Sequence, residues 1–227
     1  MKKNLVLAIS VLLFASLACN ASNIPSLPGS NATKQPDNLL YKDDFSDPSS
    51  GWSSLTDADG ITDYDEGFYR IRVDTIGESK NGMDMWSHPG VDLQGDVRIE
   101  VDATKIGGPD ENDMGVLCRY TKKNDAFNFY YFLITSDGYI GIAKMKESDS
   151  KLISGEKMTT SDAIKTTTTN HIRADCIGDK LTLYVNGTQV ATATDSEYTG
   201  GDIGLIAGSF DTPGVDIHFD NFIVTKP

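Results

Sequence analysis

The chain is short of positive charge, of histidine and of cysteine, and each shortage removes a class of function. Lysine and arginine number 20 against 33 aspartates and glutamates, a formal net charge of −13. A surface of that sign repels the phosphates of nucleic acid and the headgroups of anionic membranes, so neither is an expected partner. The three histidines, His88, His171 and His218, are widely separated, with no spacing that gathers a metal or pairs a base with a nucleophile. The cysteines have no zinc-type spacing, and there is neither a glycine-rich phosphate loop nor a G-x-S-x-G elbow. An ordinary cofactor enzyme is disfavoured on these grounds, and no cofactor is expected. The apolar run Leu5 to Phe14 also falls short of the roughly 20 residues a helix needs to cross a bilayer.

That run follows Met1, Lys2 and Lys3 and precedes Ala15-Ser16-Leu17-Ala18-Cys19, the charged, apolar, small-residue order of a secretory signal. Ser16-Leu17-Ala18-Cys19 resembles a bacterial lipobox, with Ser16 and Leu17 standing where such boxes more often carry leucine and a small residue. The resemblance implies cleavage before Cys19 and acylation of its thiol; plain cleavage near Ala18 or Ala21 is the alternative. Residues 1–18 are therefore read as a lipoprotein signal peptide. Residues 19–38, rich in Asn, Ser and Pro and nearly without aromatics, read as a lipid-anchored flexible linker, because they cannot bury enough apolar surface to offset chain entropy. Loss of the leader removes Lys2 and Lys3 and no acid, so the exported chain is more acidic still. The expected location is the extracytoplasmic space or cell surface, with the membrane touched only through the Cys19 lipid.

Residues 39–227 suit one β-sandwich domain, expected to be a monomer. Outside the cytoplasm the two remaining cysteines, Cys118 and Cys176, are expected to pair with each other.

From Asp43 onward no long helical period occurs, whereas short β-rich runs recur between turn residues. Ile172, Ala174 and Cys176 alternate with polar residues, as do Leu181, Leu183 and Val185, and Gly178-Asp179 and Asn186-Gly187 are dipeptides that two-residue hairpins favour. This predicts a three-stranded meander from His171 to Thr194. A second meander is predicted over Gly115 to Tyr120, Phe127 to Ile134 and Tyr139 to Met145. Its middle strand is apolar on both faces, which predicts a central strand covered on both sides. Further strands are predicted at Val97 to Thr104, Tyr69 to Val73, Ile203 to Ala207 and Val215 to Val224, with a crossover loop from Met158 to Asn170 containing a short helical turn near Asp162 to Ile164. About a dozen short antiparallel strands must pack as two sheets or close as a barrel, and the expectation is an all-β, two-sheet antiparallel sandwich of the jelly-roll type.

Three local strings then stand out: Asp43-Asp44-Phe45-Ser46-Asp47-Pro48 with Gly51-Trp52, Gly67-Phe68-Tyr69-Arg70, and Phe219-Asp220-Asn221-Phe222. Together they resemble the concanavalin A-like lectin/glucanase jelly rolls, especially the bacterial extracytoplasmic versions near the 3-keto-disaccharide hydrolase-like and LamG-like domains. The resemblance spans roughly residues 40 to 226. It implies two curved sheets with the first and last strands close together, in a superfamily that often handles glycans on its concave face. It does not supply an activity, since one scaffold hosts lectins, hydrolases, lyases and inert spacers.

Glucanases of this superfamily carry Glu-x-Asp-x-Glu along one strand. Here the nearest string is Glu100-Val101-Asp102-Ala103-Thr104, which lacks the third carboxylate, and Glu100 and Asp102 read more simply as the wet face of a surface strand. For sugar binding the requirement is an aromatic platform flanked by polar groups, and the candidates are Trp86 with Asp84, and Tyr120 with Arg119. Each aromatic is equally a candidate for core, and Trp52 beside Gly51 reads as a structural plug. Acidic turns suggest a structural Ca²⁺, with Asp44 and Asp220, or Asp110 and Asp113, as weak candidate ligands. The leading expectation is a non-catalytic, surface-anchored glycan-binding or adhesion module. Its rivals are a glycoside hydrolase or lyase drawing on Asp84, Glu100, Asp102 and Asp113, and a structural or protein-interaction sandwich without a sugar ligand.

Overall fold

The computed structural model describes residues 37–77 and 82–227. The signal peptide, the Cys19 lipid site and nearly all of the linker lie outside the described residues.

Among the described residues every regular element is a strand. Leu39–Asp43 (β1), Leu55–Thr56 (β2), Gly60–Asp65 (β3) and Phe68–Val73 (β4) come first, followed by Met83–Ser87 (β5), Leu93–Gln94 (β6) and Val97–Gly107 (β7). Asp113–Lys123 (β8), Ala126–Thr135 (β9) and Tyr139–Lys146 (β10) form one meander, extended by Asp149–Leu152 (β11) and Thr159–Thr160 (β12). Asn170–Ile177 (β13), Lys180–Val185 (β14) and Thr188–Thr194 (β15) form the other, and Gly200–Ser209 (β16) and Val215–Thr225 (β17) close the chain.

All pairings are antiparallel and build two sheets. The first runs β15-β14-β13-β7-β17-β4-β3-β2, and the second runs β11-β10-β9-β8-β16-β5, with β12 on β10 and β6 on β16. The last strand, β17, pairs β7 on one flank and, on the other, β4 and then β1, so the chain ends meet as expected. Both predicted meanders form, and Asn186 and Gly187 take the positive φ angles (51° and 83°) that their hairpin turn requires. In the crossover, Asp162 and Ala163 make a turn but no helix.

Alternation explains the core. On β7, Val97, Ile99, Val101 and Ala103 are buried between the wetter Arg98, Glu100, Asp102 and Thr104, and β13, β14 and β17 do the same beside it. The string around Asp43 plugs one end. Trp52 is buried against Phe45, Tyr69 and Phe222, and the Asp43 carboxylate accepts hydrogen bonds from Trp52 Nε1 (3.0 Å), the Phe45 amide (2.8 Å) and the Ser50 hydroxyl. Trp52 is thus structural, as its glycine neighbour suggested.

Cys118 and Cys176 are joined in a disulfide with Cα atoms 6.9 Å apart. The bond runs from β8 in the second sheet to β13 in the first, so it crosses the sandwich core. It closes a loop between residues 58 apart in sequence, which in the loop-entropy account constrains the unfolded chain by about 4 kcal/mol. Replacing both cysteines by alanine should therefore lower the unfolding free energy by about that amount, read as a lower urea midpoint with a slope that does not fall, because the unlinked unfolded chain is less compact. An unchanged midpoint would remove the bond from the list of stabilising features.

Candidate functional site

Alternation also sends half of each strand in the second sheet away from the core. On β8, Met114, Val116 and Cys118 enter the core, so Asp113, Gly115 and Leu117 face outward. By the same rule the outward residues are Phe129, Tyr131 and Leu133 on β9, and Ala143 and Met145 on β10. On β16 they are Gly204, Ile206 and Gly208, and on β5 Asp84 and Trp86. The outward apolar side chains make a second cluster of their own, with Leu152 and Met158 packed at its edge. Strand β9 is central, as its double apolar pattern predicts, but only one of its faces packs in the sandwich core. The other forms the floor of a candidate site.

One end of this face is aromatic. Trp86 meets Phe127 edge to face at 5.0 Å and lies 5.4 Å from Phe129; Tyr120 lies 5.8 Å from Phe129, and His88 sits 4.4 Å from Tyr120. The two sugar-stacking candidates thus converge through shared neighbours. Tyr120 is buried among them, and Trp86 keeps a partly exposed ring.

The other end is acidic. Asp84 and Asp113 stand opposite the same residue, Gly208, from its two sides. Both carboxylates lean over it: a β-carbon at Gly208 would run into Asp84 Oδ1 and lie 2.9 Å from Asp113 Oδ1. The two groups are therefore no more than about 5 Å apart, close enough for the charge on one to oppose ionisation of the other. Asp113 is 1% exposed, and its Oδ1 has no hydrogen-bond partner. Burial pushes Asp84 up to about 6. Burial, and then the charge of Asp84, raise Asp113 well above the ordinary carboxylate range, opposed by the Gly208 amide.

A trough of about 650 Å³ opens over the pair. Leu133, Met145, Met158 and Phe210 give it apolar walls, and Tyr131 and Ser150, hydrogen-bonded to each other, contribute hydroxyls. Among the described residues, its charged lining is Asp84, Asp113 and Asp149, with no lysine, arginine or histidine. A second depression of about 230 Å³ lies beside Trp86, Phe127 and Leu55 and shares Asp84, which joins the acidic end to the aromatic one. Aromatic and apolar surface beside buried acceptors suits a ligand with apolar C–H faces and several hydrogen-bond donors.

No protein-family model and no curated protein matches the chain. Solved structures do. The carbohydrate-binding module CBM66 from Bacillus subtilis superposes with a TM-score of 0.59 at 20% identity, covering 78% of this chain and 96% of that one. The Bacillus licheniformis β-glucanase gives 0.57 at 13% identity over 85% of this chain and all of its own (100%). The carbohydrate recognition domain of Emp47p gives 0.55 at 12% identity, covering 87% and 99%. The fold is concanavalin A-like. At these identities the likeness carries the fold alone.

Within this concanavalin A-like sandwich the remaining candidates are dispersed. Arg119 does not accompany Tyr120: a bulge in β8 gives it φ 57° and turns it inward, where its guanidinium donates to the carbonyls of Tyr198 (2.7 Å), Gly178 (2.9 Å) and Cys176 (3.2 Å). It is a clasp between the sheets. Glu100 and Asp102 lie on the outer face of the first sheet, where Asp102 accepts from Asn221 Nδ2 (3.0 Å) and pairs with His171 (2.8 Å). His88 pairs with Asp202, and His218 with Asp65, so the histidines stay apart. Asp44 accepts from Ser46, Asp220 from the Asn221 amide, and Asp110 pairs with Lys105, so the calcium candidates do not meet. Among the described residues no group of three or more His, Cys, Asp or Glu side chains is placed to hold a metal ion.

Sequence reasoning named Asp84 and Asp113 together only within the wider carboxylate set of the hydrolase rival, with Glu100 and Asp102, and it missed Tyr131, Met145, Met158 and Phe210. A usable signal was present: Asp113 heads a run that is otherwise apolar through Cys118, and Gly204 and Gly208 leave bare positions on one face of β16.

The raised carboxylates set a pH dependence of stability. A carboxyl whose folded value lies above its unfolded one contributes stability at low pH that is lost as pH rises through the folded value. Asp113→Asn, which mimics the protonated acid and removes like charge beside Asp84, should raise the melting temperature relative to the native chain at pH 8. The difference should shrink toward zero at pH 4. Thermal scans at the two values check this, and a variant less stable at pH 8 than at pH 4 relative to the native chain contradicts it.

Proposed function

We propose that this chain is a non-catalytic glycan-binding module displayed outside the cytoplasm, anchored through a lipid on Cys19, with its ligand seated in the trough and reaching Trp86. The observation that carries the reading is Asp113 Oδ1, a buried acceptor without a partner at the floor of a trough with apolar walls. Such an atom costs free energy unless a donor reaches it, and a sugar hydroxyl is such a donor. Trp86 and Phe127, adjoining through Asp84, offer ring surface to the apolar face of a pyranose. The likeness to a carbohydrate-binding module and to a carbohydrate recognition domain supports this use of the fold, and a disulfide is in keeping with an oxidising compartment. A tethered domain can also act at weak intrinsic affinity, because its partner is concentrated at the same surface.

Screening on a broad glycan array followed by titration calorimetry tests the proposal. The expected result is at least one oligosaccharide ligand whose affinity falls about 10- to 100-fold in Asp113→Ala, with a loss also in Trp86→Ala, while far-UV circular dichroism is unchanged. Silence across the array sinks it.

A second reading is favoured by one observation. The limit of about 5 Å between the Asp84 and Asp113 carboxyls is compatible with the separation at which retaining glycosidases place nucleophile and acid/base. On that reading the chain releases reducing ends from a mixed oligosaccharide pool, and both Asp84→Asn and Asp113→Asn abolish the release. Binding without turnover in the native chain discards it.

A further inference from the structure

We propose that the trough selects an amine-bearing saccharide, a hexosamine carrying a free ammonium group, which is held between Asp84 and Asp113. The inference deepens the glycan-binding reading and rests on it.

Three features of the site point to a cationic donor. First, among the described residues the trough is lined by Asp84, Asp113 and Asp149 without a basic side chain, and the buried Oδ1 of Asp113 has no donor. A neutral sugar supplies donors but leaves the like charges of the pair opposed. An ammonium supplies donors and charge together, and charge-assisted bonds are about twice as strong as neutral ones. A uronate or sulfated sugar meets like charge and is rejected.

Second, the spacing fits. A tetrahedral nitrogen bonded to two oxygens at about 2.8 Å each sets those oxygens about 4.6 Å apart, which the limit of about 5 Å between Asp84 and Asp113 accommodates. Gly208 has no side chain, so both carboxylates lean over the backbone of β16, where a β-carbon would clash with Asp84 Oδ1 and crowd Asp113 Oδ1. A calcium ion would want six to eight oxygens, and among the described residues no third carboxylate is grouped closely enough with the pair to begin such a set. An ammonium has three donors, and two carboxylates with one further hydroxyl satisfy it. Tyr131 and Ser150 stand in the same trough.

Third, the walls suit a ring and not a bare amine. Leu133, Met145, Met158 and Phe210 offer apolar surface to the carbon skeleton that carries the nitrogen.

Binding of a cation favours the ionised forms of both carboxylates, so a proton held by the raised pair is given up. The groups that face it are Tyr131 from β9, whose phenol burial keeps neutral, and Asp149 from β11; β16 brings only Gly208 and Ser209. The Tyr131 phenol, already protonated, cannot take up the proton. Capture of the ammonium is therefore accompanied by net proton release.

The test is calorimetry of the full exported chain at pH 6 with the glucosamine tetramer, the N-acetylglucosamine tetramer and spermine, in two buffers of different ionisation enthalpy. The glucosamine tetramer should bind at least about tenfold more tightly than its acetylated counterpart and with proton release to the buffer. Because a chain this acidic attracts any polycation, the deciding comparison is with Asp84→Asn and Asp113→Asn. Each changes the overall charge little, and each should remove the preference and the proton release, with the fold checked by circular dichroism. A preference that survives both substitutions overturns the assignment to this pair. Equal or tighter binding of the acetylated tetramer overturns the ammonium proposal while leaving the glycan reading intact. Spermine as tight as the glucosamine tetramer overturns the saccharide part, and no binding of any of the three, with other glycans bound on the array, overturns the inference alone.

Discussion

The bulge at Cys118 and Arg119 is the constraint on which the two faces of the second sheet depend. In an unbroken strand, alternation would put Cys118 inward, Arg119 outward and Tyr120 inward. One extra residue opposite Ile203 lets Cys118 and Arg119 both turn inward and returns Tyr120 to the outer face. Three consequences follow from that local event. Cys118 reaches Cys176 across the core, the Arg119 guanidinium binds carbonyls of the first sheet's hairpin and of the chain leading into β16, and Tyr120 joins Phe129 and His88 at the aromatic end of the trough face. The positive φ at Arg119 is a strained choice for a residue with a side chain. Its three carbonyl partners, together with the adjacent disulfide, offset that strain and the desolvation that lowers the arginine's proton affinity.

The same bulge accounts for what was and was not legible in the sequence. Period-two patterning identifies strands wherever the chain alternates without interruption, as in Val97 to Thr104 and Ile172 to Val185, and turn dipeptides such as Asn186-Gly187 mark the hairpins. The pairing of Cys118 with Cys176 follows from compartment and count. That Arg119 and Tyr120 part company does not, because a bulge leaves no composition signal, and the pair were naturally read as one candidate site. The crossover from Met158 to Asn170 shows a related limit: Asp162 and Ile164 suggest a helical turn by local preference, but Asn170 binds the Lys165 backbone and the Asn186 side chain, and this tertiary tie sets the loop.

The acidic pair was illegible for a different reason. Asp84 and Asp113 belong to strands that are not neighbours in either sequence or sheet; β16 lies between them. Their encounter depends on the register of both β5 and β8 against β16, and on the residue at the shared position being glycine. A shift of one residue in either pairing would turn that carboxylate toward the core. Sequence could supply the alternation that puts Asp84 beside Trp86 on one face, but not the lateral order of the strands. Conversely, Glu100 and Asp102, which local spacing makes the more familiar carboxylate string, lie on the far side of the sandwich.

A buried acceptor without a partner and a neighbouring carboxylate together work against folding, the first alone by about 1–3 kcal/mol. Replacing Asp113 by a residue of similar volume without charge would relieve that cost, and nothing in the packing around Gly208 needs the charge to stay. The rest of the domain is well secured: the core is continuous, the Asp43 carboxylate is saturated with donors, and Arg119 and the disulfide join the sheets. Arg119 Nε is also buried without a partner, but its guanidinium is held by three carbonyls, whereas the unfavourable electrostatics of the trough is of the kind a donor from solution would relieve. Fold likeness at these identities carries no site, so the proposed function rests on the acidic pair and on the orphan oxygen of Asp113.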